Sequence, residues 1–521
     1  MNRLERYLKM TAILLSGLAL KGALMGMGTV SFDSDEAVVA LMAQHILTGE
    51  RPVFFYGQAY MGSLDAILIA AAFRLFGASV FAVRIVQLTL FGGVILITYQ
   101  LVRHLIRDES TAQITALLVA LPPPLVSLYT TITLGGYVET LLFGTCLLLL
   151  GHQVTHEAQG SWLHWALLGL IAGLAFWTLP LSLVYLLPVV LVVLRHWKWR
   201  LGGRAGVVVV GFLLGSCPWW GYCLGQPDAC VNALINPPAG SVVTSGWFSA
   251  IVHRVLSLLF LGIPALWGLR NPWSAEFNVS LLAVPALALY LGSIAYALRK
   301  RNPDRFLPMA MGATFVVVFL LTPFGNDGTG RYLLPLYLLV ALMAAELIRA
   351  VQKKSRWLAA ATLAYLLVFG MAITLRAATA EPAGMTAQLD ARLQFGNQHD
   401  AELIAFLKEK GERYGYSHFW IAYKIAFLSG EQIIVAPRLP YRANLRLDEG
   451  QDRYPAYSLW VDESSAPPFY ITGNQAELDR RLRSALGMRQ ISYKEEVIGP
   501  YHVFYDLSAR VTPEELGVHS P

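Results

Sequence analysis

Residues 10–30 form an apolar run long enough to cross a bilayer core at about 20 residues per helix. Runs of similar character recur near 80–102, 112–129, 138–151, 162–179, 181–194, 204–224, 279–298, 306–323, 333–351 and 357–376. No feature constrains the chain more, because backbone in hydrocarbon must satisfy its own hydrogen bonds and helices do so internally. The first run keeps Lys21 and lacks a small-x-small cleavage pattern, so it reads as a retained span and not a removed signal. Only 14% of the 521 residues are charged, against roughly 25% in a soluble domain, which excludes an ordinary soluble enzyme. The charge is also unevenly placed. Residues 380–521 hold 15 basic and 19 acidic side chains, whereas residues 1–379 hold 25 basic and 15 acidic.

The basic residues of the front part sit between apolar runs, as the positive-inside rule expects, so no nucleic-acid partner is inferred. Arg3, Arg6 and Lys9 place the N-terminus in the cytoplasm. The clusters Arg103/Arg107, Arg195/Lys198/Arg200/Arg204, Arg299/Lys300/Arg301/Arg305 and Lys353/Lys354/Arg356 then fall on the same face. Only the loop at 152–161 lacks the signal. Residues 251–269 are apolar enough to span, but a span there would invert the Arg299 cluster, so they read as re-entrant or interfacial. The expected architecture is a polytopic α-helical membrane domain over 1–378 with about eleven transmembrane helices, a linker over 379–397, and an extracytoplasmic α/β domain over 398–521. The setting is the cell inner membrane. Cys223 and Cys230 bracket a short outer loop; a disulfide and two unpaired apolar thiols are both open readings.

Nine of the fifteen acids before residue 380 fall outside: Asp33, Asp35, Glu36, Glu50, Asp65, Glu139, Asp228, Glu276 and Asp327. The first outer loop, 29–79, carries two amphipathic segments, 37–47 and 64–76, too short to span and expected to lie at the membrane surface. The first opens with Asp33-Ser34-Asp35-Glu36. Helix capping accounts for Asp33 as N-cap and Glu36 three residues on. Asp35 is left in the first turn, ionised and free to serve another purpose. Asp33 and Asp35 could together hold a divalent cation, although two acids in a cap-like turn say little on their own. Tyr56, Tyr60, Tyr129 and Tyr137 could stack on sugar faces or belong to an interfacial aromatic belt. Glu139 enters a span, where a carboxylate is a functional candidate or the partner of a cation. Arg331 could grip a lipid phosphate or anchor a helix end, and Arg84 has the same two readings. Lys21 snorkels or pairs internally.

At these residues the chain resembles the GT-C class of integral membrane glycosyltransferases, in particular bacterial relatives of protein O-mannosyltransferases and of the lipid A aminoarabinose transferase. The carriers are Asp35-Glu36 followed by residues 37–47 and Gly49, then 59–77 ending Phe76-Gly77, Ala82-Val83-Arg84, the Gly-Gly-Tyr-x-Glu-Thr of 135–140, and the Arg-Tyr-Leu-Leu-Pro-Leu-Tyr of 331–337. The resemblance implies a polyprenyl-phosphate sugar donor, a glycan, lipid or protein acceptor on the outer face, inversion at the anomeric carbon, and Asp35 as general base beside Glu36. It implies substrate contacts at Asp33, Asp65, Tyr56, Tyr60, Tyr137, Glu139 and Asp327, and lipid-phosphate contacts at Arg331 and Arg84. The chain departs from the aminoarabinose transferases at Tyr60-Met61-Gly62-Ser63-Leu64-Asp65, where those have an acid followed by Lys-Pro; Asp65 could replace the acid, and the lysine is absent. The rival reading is a transporter or flippase of lipid-linked sugars, which calls for duplicated halves with matching broken helices. The sequence shows no such duplication.

In the tail, helices are expected over 400–410, 419–428 and 475–486, and strands over 432–436, 457–461, 469–472, 490–497 and 501–506. His399, His418, His502 and Asp462 lack metal-site spacing and read as surface or packing residues.

Overall fold

The computed structural model describes residues 3–156, 161–198, 202–228, 246–278, 281–300, 302–379 and 384–519. Arg200, Arg301, Cys230 and residues 157–160 of the loop without a basic cluster lie outside them. Cys146 and Cys217 are free and Cys223 is disulfide-bonded.

Eight described helices are long and apolar enough to cross a membrane, from α1 (Arg3–Gly26) and α4 (Val80–Ile106) to Arg331–Gln352 and Arg356–Thr379. The pair α10 (Gly203–Gly215) and α11 (Cys217–Gly225), bent by 69°, makes a ninth if it is one broken span. Two more apolar helices, α8 (Trp162–Thr178) and Ala283–Arg299, have 17 residues each. The expected span at 112–129 is divided: α5 (Glu109–Ala120) stops before Pro122-Pro123, and a six-residue α6 (Pro124–Tyr129) follows, because proline disfavours helix in the residue before it and lacks the donor to continue one. Residues 247–266 form one continuous helical segment with a π-turn at Ser257–Gly262. Its length and apolarity put it among the candidate spans, whereas loop charge pointed to a non-spanning segment.

Lys21 is fully buried and donates to the Ser127 carbonyl (2.6 Å), to Thr130 and to Thr131 (3.1 Å). It pairs internally and does not snorkel.

Two departures matter for the site. First, α2 (Ser34–Leu47) does not lie with one face on a membrane surface: every residue from 37 to 43 is at most 2% exposed. It is packed between α3 (Leu64–Phe76) and the helix Phe419–Leu428. The stretch Ala-Val-Val-Ala-Leu-Met-Ala is apolar all round, which is the pattern of a helix covered on every side. Second, residues 384–397 are no loose tether. Met385 pairs its backbone with Thr29 and Ser31 (2.8 and 2.9 Å), and Asn397 accepts from the Phe32 amide at 2.8 Å and donates to the Val30 carbonyl at 3.0 Å. The chain leading into α2 is thereby fixed from outside.

The tail builds a five-stranded mixed sheet in the order β4-β3-β5-β7-β6, from β3 (Tyr414–Ser417), β4 (Ile434–Pro437), β5 (Phe469–Gly473), β6 (Lys494–Ile498) and β7 (Tyr501–Tyr505). β3 is parallel to β4 and β5, and the other pairs are antiparallel. The helix Phe419–Leu428 is the β3-to-β4 crossover, so the element that closes the sheet also covers α2. The expected strand at 457–461 is instead the helix Pro455–Glu463. Pro455 pre-sets the first turn, and Tyr457, Ser458 and Val461 are buried at helical spacing. Between α2 and α3, β1 (Phe54–Phe55) and β2 (Gln58–Gly62) form a short hairpin.

Candidate active site

The acids that open α2 separate by function. Asp33 is the N-cap: its carboxylate accepts from the Glu36 amide at 3.1 Å and faces the Gln388 side chain at 3.5 Å. Burial and the neighbouring Asp35 charge push its pKa up to about 7. Glu36 does not reach back to complete a capping box. Its carboxylate is taken by Arg84, with Nε at 3.1 Å and Nη2 at 2.9 Å, while the rest of that guanidinium donates to the carbonyls of Val30 and Ser31 at 3.2 Å each. Both side chains are buried. This corrects two expectations: Glu36 lies behind the site as a structural ion partner, and Arg84, with four of its five N–H donors used within the chain, anchors the α2 lead-in away from the Asp35 cavity.

Asp35 is different. It lines a cavity of about 650 Å³, and among the described residues no side chain is recorded within hydrogen-bond distance of its carboxylate. Burial raises its pKa, restrained by the positive charges of Arg453 and Arg331. Tyr60, Tyr137, Asp327, Arg331 and Arg453 share the cavity wall. Asp327 holds an Asx turn by accepting from the Thr329 amide at 2.8 Å, and ion-pairs with Arg331 at 2.9 Å. Its charge therefore aims the arginine, whose guanidinium also lies 5.2 Å from the Tyr332 ring centre.

That loop is clamped from a neighbouring segment. Fully buried Arg270 donates twice to the Gly328 carbonyl, at 2.7 and 2.9 Å, and Arg254 donates to Asn326 at 3.1 Å. Arg453 reaches the cavity from the sheet region. It stacks 5.5 Å over Phe419, donates to the Gly57 carbonyl at 3.3 Å, and meets Gln58, in its better-satisfied amide orientation, at 2.7 and 2.8 Å. Gly57 has φ +69°, and a Cβ there would stand 2.8 Å from Arg453 Cδ. Only glycine lets the hairpin turn beneath the arginine.

The remaining expected contacts lie elsewhere. Tyr56 is outside the cavity: it donates to Glu50 at 2.5 Å, bonds His45 at 2.9 Å and stacks 4.8 Å from Tyr454. Asp65 is buried, with its oxygens held by Gln87 at 2.8 Å and by Thr133. Burial raises its pKa. Glu139 is also fully buried beside Asp65, and it is Tyr137, two residues earlier, that lines the cavity. In the sheet region Asp462 pairs with Arg438 (2.5 Å), His502 with Asp479 (3.0 Å) and His399 with Glu402 (3.1 Å). Burial pushes the His418 imidazole down to about 3, so it stays neutral.

As a cation site, Asp33 and Asp35 fit poorly. No group of three His, Cys, Asp or Glu side chains converges as a ligand set among the described residues, and the Asp33 oxygens already face an amide and Gln388. Hard divalent cations require six or more oxygens.

A family model described as dolichyl-phosphate-mannose-protein mannosyltransferase matches residues 64–222. The computed structure superposes on the crystal structure of ArnT from Cupriavidus metallidurans bound to undecaprenyl phosphate with a TM-score of 0.64 at 13% identity, covering 98% of this chain and 99% of that one. The fold is the GT-C fold. A second GT-C neighbour is the oligosaccharyltransferase AglB from Archaeoglobus fulgidus, in complex with an inhibitory peptide and a dolichol-phosphate, at a TM-score of 0.51 and 13% identity over 98% of this chain and 76% of that one. In sequence, the chain is 28% identical over 329 residues to the undecaprenyl phosphate-alpha-4-amino-4-deoxy-L-arabinose arabinosyl transferase of Pseudomonas paraeruginosa. That match takes in 60% of this chain and 54% of the relative, so the chain spans about half the length of the curated relatives it matches.

Sequence reasoning found Asp35, Tyr60, Tyr137, Asp327 and Arg331, which share the GT-C cavity. It missed Arg453, Arg270 and Gln388. The first two carry no local pattern that distinguishes them from surface arginines, and Gln388 sits in a stretch of small and polar residues that reads as linker.

Proposed function

We propose that this chain transfers a sugar from a polyprenyl-phosphate donor to an acceptor hydroxyl or amine in the GT-C cavity, on the outer face of the inner membrane, with Asp35 as general base. The observation that carries this reading is the Asp35 carboxylate, unpaired among the described residues and facing a cavity that also receives two guanidinium groups. Similarity to proteins whose names include an undecaprenyl-phosphate sugar transferase supports the donor class.

In the proposed step the acceptor oxygen or nitrogen bonds to the anomeric carbon as the bond to the phosphate oxygen breaks. Asp35 takes the acceptor proton. A single displacement of this kind inverts the anomeric carbon. The departing polyprenyl phosphate gains one negative charge, which Arg331 and Arg453 stabilise better than they do the diester donor. Differential stabilisation of that kind accelerates the step. Asp327 keeps Arg331 in place. Tyr60 and Tyr137 offer aromatic faces to the sugar.

The test is Asp35→Asn in reconstituted membranes, supplied with a panel of polyprenyl-phosphate sugars and envelope acceptors. Loss of a general base costs about 10²–10⁴ in rate, and transfer should fall by at least the lower figure while the melting temperature holds. Near-normal turnover by the variant would remove Asp35 from the mechanism.

A further inference from the structure

The end of the bundle away from the Asp35 cavity carries a second concentration of polar side chains. Helix α7 (Tyr137–His156) connects the two: Tyr137 lines the first cavity, and His152 and His156 line the second, about 22 Å further along at 1.5 Å per residue. Two adjoining hollows of about 250 and 530 Å³ share those two histidines as a common wall. Arg103, His104 and Arg107, at the end of α4, line the smaller one. Arg195 and His196, at the end of α9 (Leu183–Trp197), line the larger.

The balance of charge is one-sided. Of the nearby carboxylates, Glu109 is engaged by Arg6 at 3.4 Å, Arg103 at 3.7 Å and the Tyr99 hydroxyl at 2.6 Å. Asp304, on the rim of the larger hollow, is the only acid lining either one among the described residues. Arg107 and Arg195 have no recorded ion partner among the described residues. Basic residues at helix C-termini ordinarily balance the helix dipole, and a positive-inside belt needs nothing more. Neither role calls for imidazoles gathered at a cavity.

The rings gather at the shared wall. His152 and His156 stack at 4.3 Å, and His196 lies 6.4 Å from His156. His104 Nδ1 donates to the Gln100 carbonyl at 2.8 Å. His156 Nδ1 faces the His152 carbonyl at 3.2 Å and the Thr155 hydroxyl at 2.9 Å. That hydroxyl gives its own proton to the Gly151 carbonyl at 2.8 Å, so the Nδ1 proton belongs to the histidine. In both rings Nε2 is left over; in the neutral ring it is an acceptor, and it donates to an anion only from the imidazolium. Exposed apolar side chains adjoin it: Phe306 is 61% exposed and lines the larger hollow, and on α9 Leu191 and Leu194, neighbours of Arg195 along the helix, are 64% and 50% exposed.

We propose that this is a binding site for the phosphate headgroup of an anionic phospholipid, held by Arg107, Arg195 and the histidines, with its acyl chains lying along Leu191, Leu194 and Phe306. Phosphate is the chemistry that guanidinium groups recognise, and an imidazole joins them through Nε2 when it is protonated. The exposed hydrocarbon beside it favours a lipid over a free anion, and basic pockets between helices at a membrane face bind acidic headgroups by the same logic.

The test uses the full chain, purified in mild detergent, with thermal unfolding followed during titration with phosphatidylglycerol, phosphatidylcholine, or inorganic phosphate at constant ionic strength. Phosphatidylglycerol should stabilise the wild type and phosphatidylcholine should not. Apparent affinity should drop on the order of fivefold for each arginine removed, in Arg107→Gln and Arg195→Gln. His156→Gln keeps size and polarity and should weaken binding by less, which covers the case in which an arginine variant fails to fold. Equal stabilisation of wild type and well-folded variants would overturn the site. Full stabilisation by inorganic phosphate alone would overturn the lipid assignment in favour of a free-phosphate site.

Discussion

At Asp33, Asp35 and Glu36, three carboxylates within one helical turn behave differently because their partners differ. Removing Glu36 strands a buried guanidinium, and breaking a buried pair costs about 3–5 kcal/mol. Glu36→Gln should therefore lower the unfolding midpoint and the yield, whereas Asp35→Asn should leave both unchanged and remove transfer. Thermal unfolding set beside turnover separates the two.

Asp33 makes a prediction about pH. Its pKa is about 7 in the folded protein against 3.8 in the free side chain, so between these values the folded state holds the extra proton. Stability from this group is therefore greatest below pH 3.8 and is lost as pH rises towards 7. Asn is an equally good N-cap and does not titrate. Asp33→Asn should flatten the fall in stability between pH 4 and 7, measured by denaturant unfolding at each pH; an unchanged slope would show that Asp33 titrates normally.

Among the elements, the hairpin β1–β2 and the loop 322–332 are the pieces that shape the cavity, and each is held by an arginine from elsewhere in the chain. Truncating Arg453 or Arg331 to alanine removes a cation from the position where phosphate charge develops. Loss of one such donor typically costs about 10²–10³ in rate, so either variant should fall in kcat more than in affinity for the donor. Gly57→Ala should resemble a milder Arg453→Ala, since its Cβ would displace the Arg453 side chain. Kinetics of Gly57→Ala, alone and combined with Arg453→Ala, check this: once Arg453 is absent the glycine change should matter little.

The same elements show what the sequence made readable. Asp35 stood out because acids are scarce in residues 1–379, and Arg331 because it precedes an apolar run in a stretch that loop charge reads as outer. The C-terminal helices at 400–410, 419–428 and 476–488 and most strands were legible from periodicity, whereas the sequence of the helix Pro455–Glu463 reads as a strand. The pairing of residues 384–397 with 29–33 was not, because it joins stretches more than 350 positions apart. The reading of α2 as a one-sided helix failed because its stripe was counted and the all-round apolarity of residues 37–43 was passed over.

For the whole molecule, the cavity exists only where the membrane helices and the sheet region meet, and the seam between them is polar and specific. His45 on α2 bonds Glu431 at 3.0 Å, Tyr457 donates to the same carboxylate at 2.7 Å, and Tyr454 donates to Glu50 at 2.7 Å. The Lys424 amide donates to the Ser34 hydroxyl at 3.3 Å, one residue from Asp35. A loosening of this seam should therefore be felt first in α2. Glu431 sits at its centre, with its pKa held low chiefly by the His45 hydrogen bond, so it remains an ionised acceptor near neutrality. Hydrogen bonds to a charged group are worth about 1.5–3 kcal/mol, and Glu431→Ala removes two. In hydrogen exchange, the amides of residues 37–43 should open at least about tenfold faster in this variant, while those of β5 and β7, which make no bond to Glu431, keep their protection. If instead the strands lose protection together with α2, the helix and the sheet unfold as one unit, and the seam is a core contact with no independent freedom to open.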